Sequence, residues 1–274
     1  MIKYNQLIIT LTIWLLLFYW IFHIFSPNTK LQTKVTKIIH QSWKIRKIPR
    51  VFERFYPSWK KCFPNWTHLL WTDEDNRNLV IDHFPWFLEI YDSFPQEIYR
   101  ADVSRYLYLY RYGGLYTDMD NECLSPFEHL LENYTIVFGS IDNVDRVSPL
   151  RNYYVQNSFM YSNPRQSFWL ELVRNIKFQY NYDSPVVVTG PDHLSLMIYK
   201  YLTRFPDNRD MRIYDAWYFN PLSWGSHIKH LHCKIQVIMS DSEWIACRKR
   251  FIKNGSYVVQ YHVHSWGNDD DYSD

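Results

Sequence analysis

The chain has 274 residues, 47% of them hydrophobic and 21% charged, with a formal net charge of +2. A chain of this size buries one substantial core, and its near-neutral balance excludes an electrostatic footprint for nucleic acid. Seven glycines and 13 prolines exclude a collagen-like or low-complexity polymer. The 12 Trp and 23 Tyr are a heavy load. Most belong in a core, but such residues also form walls that stack on sugars and nucleobases.

After a short tail (1–6), residues 7–25 read LIITLTIWLLLFYWIFHIF, without a formal charge when His23 is neutral. At about 1.5 Å per residue, a helix of that length nearly spans a hydrocarbon core of about 30 Å. The stretch ends Phe25-Ser26-Pro27, without the small residues of a cleavage site, so a transmembrane signal anchor is expected rather than a cleaved leader. Lys3 precedes the span while Lys30, Lys34 and Lys37 follow it, a count that favours a cytosolic domain. Three glycosylation sequons, at Asn65, Asn133 and Asn254, point the other way, though composition alone yields about as many. Cys62, Cys123, Cys233 and Cys247 permit three complete pairings; Cys233–Cys247 is the first guess, beside the reading of four buried thiols.

A short polar stem (26–35) leads into a domain at 36–268, closed by an acidic tail at 269–274. Val35 to His40 is β-branched and reads as a first strand. Pro49 to Pro64 reads as a helix, with Val51, Phe52, Phe55 and Trp59 on one face. Trp66–Trp71 predicts a second strand, and Asp73–Ile90 a helix broken near Pro85. Glu97 to Tyr112 is the strongest helix, stopped by Gly113-Gly114. Leu115-Tyr116-Thr117 then predicts a short strand that runs into Asp118. Further strands are expected at Thr135–Phe138, Val186–Thr189, Ile235–Ile238 and Tyr257–Tyr261. Strands alternating with helices predict an α/β domain with a mostly parallel, Rossmann-like sheet, whose ligands bind beyond the carboxyl ends of the strands.

An Asp-x-Asp pattern occurs three times. Asp73-Glu74-Asp75 opens a helix, where acids suit the dipole, and Asp269-Asp270-Asp271 lies in the acidic tail. Only Asp118 and Asp120 follow an apolar strand, whose alternation puts both side chains on one side with Met119 opposite. Two hard oxygen ligands suit Mg²⁺ or Mn²⁺; the competing reading is a loop of solvated acids. Upstream, Asp102 and Arg105 are three apart on one helix face. They form either an ordinary helical ion pair or an acceptor and donor fork suited to sugar hydroxyls.

The segments KIIHQSWK, LLWTDED, FPWFL, RADVSRYLYLYRYGGLYTDMD, NSFMYSNPRQSFW, TGP and HVHSW follow one another over residues 37–266. In that order they resemble glycosyltransferase family 32, most closely its inositol phosphoceramide mannosyltransferase branch. The resemblance implies a single GT-A fold, a nucleotide-sugar donor, a divalent metal (usually Mn²⁺) and transfer with retention. It also implies a luminal Golgi domain behind the anchor, against the lysine count. Asp118 and Asp120 would hold the metal, and Asp102 and Arg105 would contact the donor sugar. His40, Gln41 and Trp43 would line the nucleotide pocket, with Ser265 and Trp266 closing over the diphosphate. Tyr261 stands where the family carries a His, so His262 or His264 would serve as third metal ligand; the competing reading is two exposed polar residues. Gln166-Ser167 replaces the family's His-Pro. Asn157 would run along the donor-sugar site, and Asp192 follows the Thr189-Gly190-Pro191 turn; either is also explained as a local backbone cap. No nucleophile is singled out.

The expected donor is GDP-mannose and the acceptor a membrane glycolipid such as inositol phosphoceramide, with an accessory membrane subunit as a candidate partner. UDP-galactose or UDP-N-acetylglucosamine transfer to glycans or glycolipids is the alternative, and a non-catalytic sugar-binding membrane protein the minor one.

Overall fold

A computed structural model describes residues 34–141, 153–176, 184–222 and 240–263, together with Trp14 and Cys233. Apart from Trp14, the predicted anchor lies outside these residues, and no described helix is long and apolar enough to cross a membrane.

Ile38 and Ile39 open β1 (Ile38–Ser42). It pairs in parallel with β2 (Thr67–Trp71) on one side and β3 (Gly114–Thr117) on the other. The register matches Ile39 to His68 and to Leu115. After β4 (Asn121–Cys123), strand β5 (Ile136–Ser140) joins the same sheet through β6 (Val155–Ser162), which runs antiparallel to both β3 and β5. Strand β7 (Met211–Tyr214) adds in parallel to β5, giving the order β2-β1-β3-β6-β5-β7. β4 pairs antiparallel with β8 (Val258–Gln260) in a separate two-stranded sheet. The expected α/β class and mostly parallel sheet are therefore present, with β6 reversed.

That reversal matters for the site. It brings the amino-terminal residues of β6 to the edge where β1 and β3 end, as the bond from Asp118 N–H to the Ser158 carbonyl shows (2.9 Å). Side chains from both halves of the sheet can then meet beyond one edge.

The helix expected over Pro49–Pro64 divides into a 3₁₀ turn at Arg50–Phe52 and α1 (Tyr56–Cys62). Pro57 has no N–H and fits only in a first turn, so a new helix starts there. Phe52, Phe55 and Trp59 are buried as expected. Helix α2 (Asp73–His83) begins with a capping box between Thr72 and Asp75 and stops before Pro85. Helix α3 (Glu97–Arg111) is buried over Tyr106–Leu109 and also at Asp102 and Arg105, so it threads the core rather than lying on it. It ends at Gly113 (φ +67°); a Cβ on the following Gly114 would lie 2.5 Å from the Ile38 carbonyl oxygen. Only glycine there allows β3 to dock beside β1.

Helix α4 (Ser167–Arg174) packs behind α3. Val186–Thr189, expected as a strand, instead belongs to the single helical turn α5 (Pro185–Val188). Its β-branched run favours a strand, but Pro185 is preset for a first helical turn and Ser184 caps it by accepting from Val186 N–H. Helices α6 (Pro191–Arg204) and α7 (Asp241–Lys253) complete the described set of longer helices. The expected strand Ile235–Ile238 lies outside the described residues. The cysteines pair as Cys62–Cys123 and Cys233–Cys247. The first ties α1 to β4, directly after the Asp118–Asp120 segment.

Candidate active site

A cavity of about 470 Å³ opens at the sheet edge where β1 and β3 end. Ser42, Trp43 and Lys44 enter it after β1, Asp118 to Asp120 after β3, and Gln156 to Ser158 from β6. Helix α3 contributes Asp102 and Arg105, and α5 contributes Pro185 and Val186. Most of the residues singled out by sequence thus converge, although they lie far apart along the chain.

Asp118–Asn121 is a tight turn, with Asn121 N–H donating to the Asp118 carbonyl (3.2 Å). The turn, rather than the expected strand alternation, brings both carboxylates to the cavity. Asp118 is held by its Oδ1, which accepts from Tyr116 Oη (2.7 Å) and Arg105 Nη1 (3.3 Å). The Arg105 guanidinium lies 4.7 Å from the centre of the Tyr116 ring, so one tyrosine positions both groups. Arg105 also donates to the Asn157 carbonyl (3.0 Å).

The helical ion pair of Asp102 with Arg105 is present, but Asp102 is 4% exposed, so it is a buried pair rather than an ordinary exposed one. Its Oδ1 accepts from Asn157 Nδ2 (2.9 Å) and pairs with Arg105 Nη2 (3.1 Å); its Oδ2 accepts from Thr189 Oγ1 (2.9 Å). Burial pushes its pKa up to about 6 against the pull of Arg105 and these donors.

Asp120 is different. Its Oδ2 accepts from Val263 N–H (3.0 Å), but its buried Oδ1 has no hydrogen-bond partner among the described residues. Burial, then the neighbouring Asp118 charge, raises its pKa to about 7. An orphaned buried carboxylate oxygen beside a second carboxylate is a donor set that fits a hard divalent cation. Among the described residues no three His, Cys, Asp or Glu side chains converge as a complete metal site. His262 does line the cavity, with its Nε2 3.0 Å from the Leu222 carbonyl oxygen; His264, Ser265 and Trp266 lie outside the described residues.

Two expected donor-binding residues are displaced from the cavity wall. His40 is fully buried, its Nε2 2.8 Å from the Gly113 carbonyl oxygen and its Nδ1 accepting from Trp71 Nε1 (3.0 Å). Its side chain alternates to the core face, where it stacks on Tyr108 and fastens β1 to the glycine turn. Burial lowers its pKa to about 4. Gln41, also buried, donates to the Asp118 carbonyl (3.4 Å) and so supports the turn from behind. Trp43 and Asn157 do line the cavity, whereas Asp192 accepts from Tyr154 Oη (2.7 Å).

Tyr116 and Thr189 were not distinguishable as site residues beforehand, although each lay in a recognised segment. Tyr261 donates to Glu122 (2.7 Å) and stacks on Phe55, so it braces β4 rather than replacing a ligand.

Residues 49–137 match the family model described as "Glycosyltransferase sugar-binding region containing DXD motif". The chain is 38% identical to an inositol phosphoceramide mannosyltransferase 3 of Schizosaccharomyces pombe, over 85% of its own length and 60% of that protein's. It is 31% identical to an inositol phosphoceramide mannosyltransferase 2 of the same yeast, over 86% and 59% respectively. The chain thus spans about three fifths of the length of these relatives. Among solved structures, the PaToxG glycosyltransferase superposes with a TM-score of 0.48 at 13% identity, over 65% of this chain and 73% of that one. The segment that contains α3, β3 and the Asp118–Asp120 turn is thus similar to the sugar-binding region of glycosyltransferases that carry the DXD motif.

Proposed function

We propose that this protein is a metal-dependent, retaining hexosyltransferase that moves mannose from GDP-mannose to a membrane glycolipid of the inositol phosphoceramide type. The observation that carries this reading is the convergence of Asp118 and Asp120 with the Asp102–Arg105 pair at one end of one cavity. Asp118 and Asp120 would hold Mn²⁺ or Mg²⁺. When bound, that ion supplies charge neutralisation for the departing nucleoside diphosphate. Asp102 and Arg105 would bind the hexose hydroxyls through an acceptor and a donor already locked in place. Trp43, half-buried and packed edge-on against Phe52 (5.0 Å), offers an aromatic wall suited to a nucleobase.

Two disulfides favour an oxidising compartment, which supports a luminal Golgi domain behind the anchor at 7–25. Identity to inositol phosphoceramide mannosyltransferases supports the choice of donor and acceptor.

The test is a donor screen with Mn²⁺ on the purified full chain, followed by mass spectrometry of the lipid product. GDP-mannose should give a mannosylated inositol phosphoceramide, and Asp118→Asn or Asp120→Asn should lower turnover about 10²-fold or more. Turnover with UDP-sugars alone would overturn the donor assignment. Undiminished turnover in both variants would overturn the metal role.

A further inference from the structure

The corner between α5 and α6 reaches the cavity through Pro185, Val186 and Pro191. Within it, the polar side chain at Thr189 is fully buried and turned towards α3. We infer that Thr189 is a positioning residue for the donor sugar: its hydroxyl fixes Asp102 so that one acceptor site on Oδ2 is kept for a sugar hydroxyl.

The hydroxyl has one proton and two acceptors in reach, Asp102 Oδ2 at 2.9 Å and the Pro185 carbonyl at 3.4 Å. The shorter bond, to a charged oxygen, prevails. A carboxylate offers about four lone-pair sites. Asn157 and Arg105 take two on Oδ1, and Thr189 takes one on Oδ2, so the fourth site of this cavity-lining residue, on Oδ2, has no donor among the described residues. The same Thr189 is anchored from behind, because its carbonyl accepts from Tyr106 Oη (2.6 Å), one helical turn beyond Asp102. The next residue, Gly190, admits no side chain: a Cβ would lie 2.8 Å from Val186 Cα. The corner is therefore tightly packed, and one hydroxyl lies between the rim at Pro185 and the Asp102 carboxylate.

This inference rests on the reading that Asp102 faces the donor sugar. Calorimetry of GDP and GDP-mannose with Mn²⁺, on the full chain, separates the two claims. Thr189→Val keeps the shape and deletes the donor. It should weaken GDP-mannose about tenfold while GDP, which lacks the sugar, binds as before. Thr189→Ser should restore the wild-type preference, and thermal melting should show all variants folded. Unchanged GDP-mannose binding in Thr189→Val overturns the inference, as does an equal loss for both ligands, which marks a merely structural role. If Asp102→Asn leaves GDP-mannose affinity intact, the reading of Asp102 fails and the assignment of Thr189 fails with it.

Discussion

The cavity has two polar regions that treat buried charge in opposite ways. On the wall formed by α3 and β6, Asp102 and Arg105 are nearly inaccessible, and each is held by several partners. In the turn after β3, Asp120 is also buried, yet one carboxylate oxygen has no donor among the described residues. The first region is satisfied by protein partners alone. In the second, a buried carboxylate next to another carboxylate is costly to ionise, and the proposed cation would offset that cost.

The sharpest way to break the contrast is to unpair the complete wall. Arg105→Met leaves Asp102 buried without its cation and removes one donor from Asp118. Stability should fall by about 3–5 kcal/mol in chemical denaturation, since truncating one member of a buried pair strands the other. A loss well under 1 kcal/mol would mean that the pair is effectively solvated.

Behind the wall, His40 gives a pH signature. Its folded-state pKa of about 4 lies below the usual 6.5, so between those values the unfolded chain binds more protons than the folded one. The stability it supports is therefore present above pH 6.5 and is lost as pH falls towards 4, by about 3 kcal/mol in all. Urea melts from pH 7 to 4 should show this slope in the difference between wild type and His40→Gln. Asp102 and Asp120 act in the opposite sense: burial raises their pKa values to about 6 and about 7, which penalises the fold as pH rises from 3.8. The difference between wild type and His40→Gln isolates the histidine.

A smaller effect links the two regions. Tyr116→Phe removes the hydroxyl that holds Asp118 while leaving the ring under Arg105. Mn²⁺ affinity should drop about tenfold, as for loss of an outer partner of a metal ligand, with little change in fold stability. Unaltered affinity would show that Arg105 alone positions Asp118.

The two regions were not equally legible in the sequence. Residues 97–120 form one helix, one glycine turn and one strand, so local pattern alone places Asp118 and Asp120 at a strand end near Asp102 and Arg105. Thr189 and Asn157 meet the same carboxylate from 87 and 55 residues away, a convergence set by tertiary packing. Strand β6 went unrecognised because its residues are buried on both faces, which erases the alternation that marks a half-exposed strand. Val186–Thr189 misled in the other direction, since β propensity outvoted the proline and cap that make α5 a turn of helix. His40 lay in the right strand, but its side chain faces the core and so cannot meet a ligand.

The most direct test of the central claim is the thermal stability of the full chain with and without Mn²⁺ near neutral pH. Wild type should melt at a clearly higher temperature with Mn²⁺ and return to its starting value with a chelator, while Asp120→Asn should show little shift. An equal rise in wild type and Asp120→Asn, or no rise in wild type, would contradict the assignment of the Asp118–Asp120 turn as a cation site.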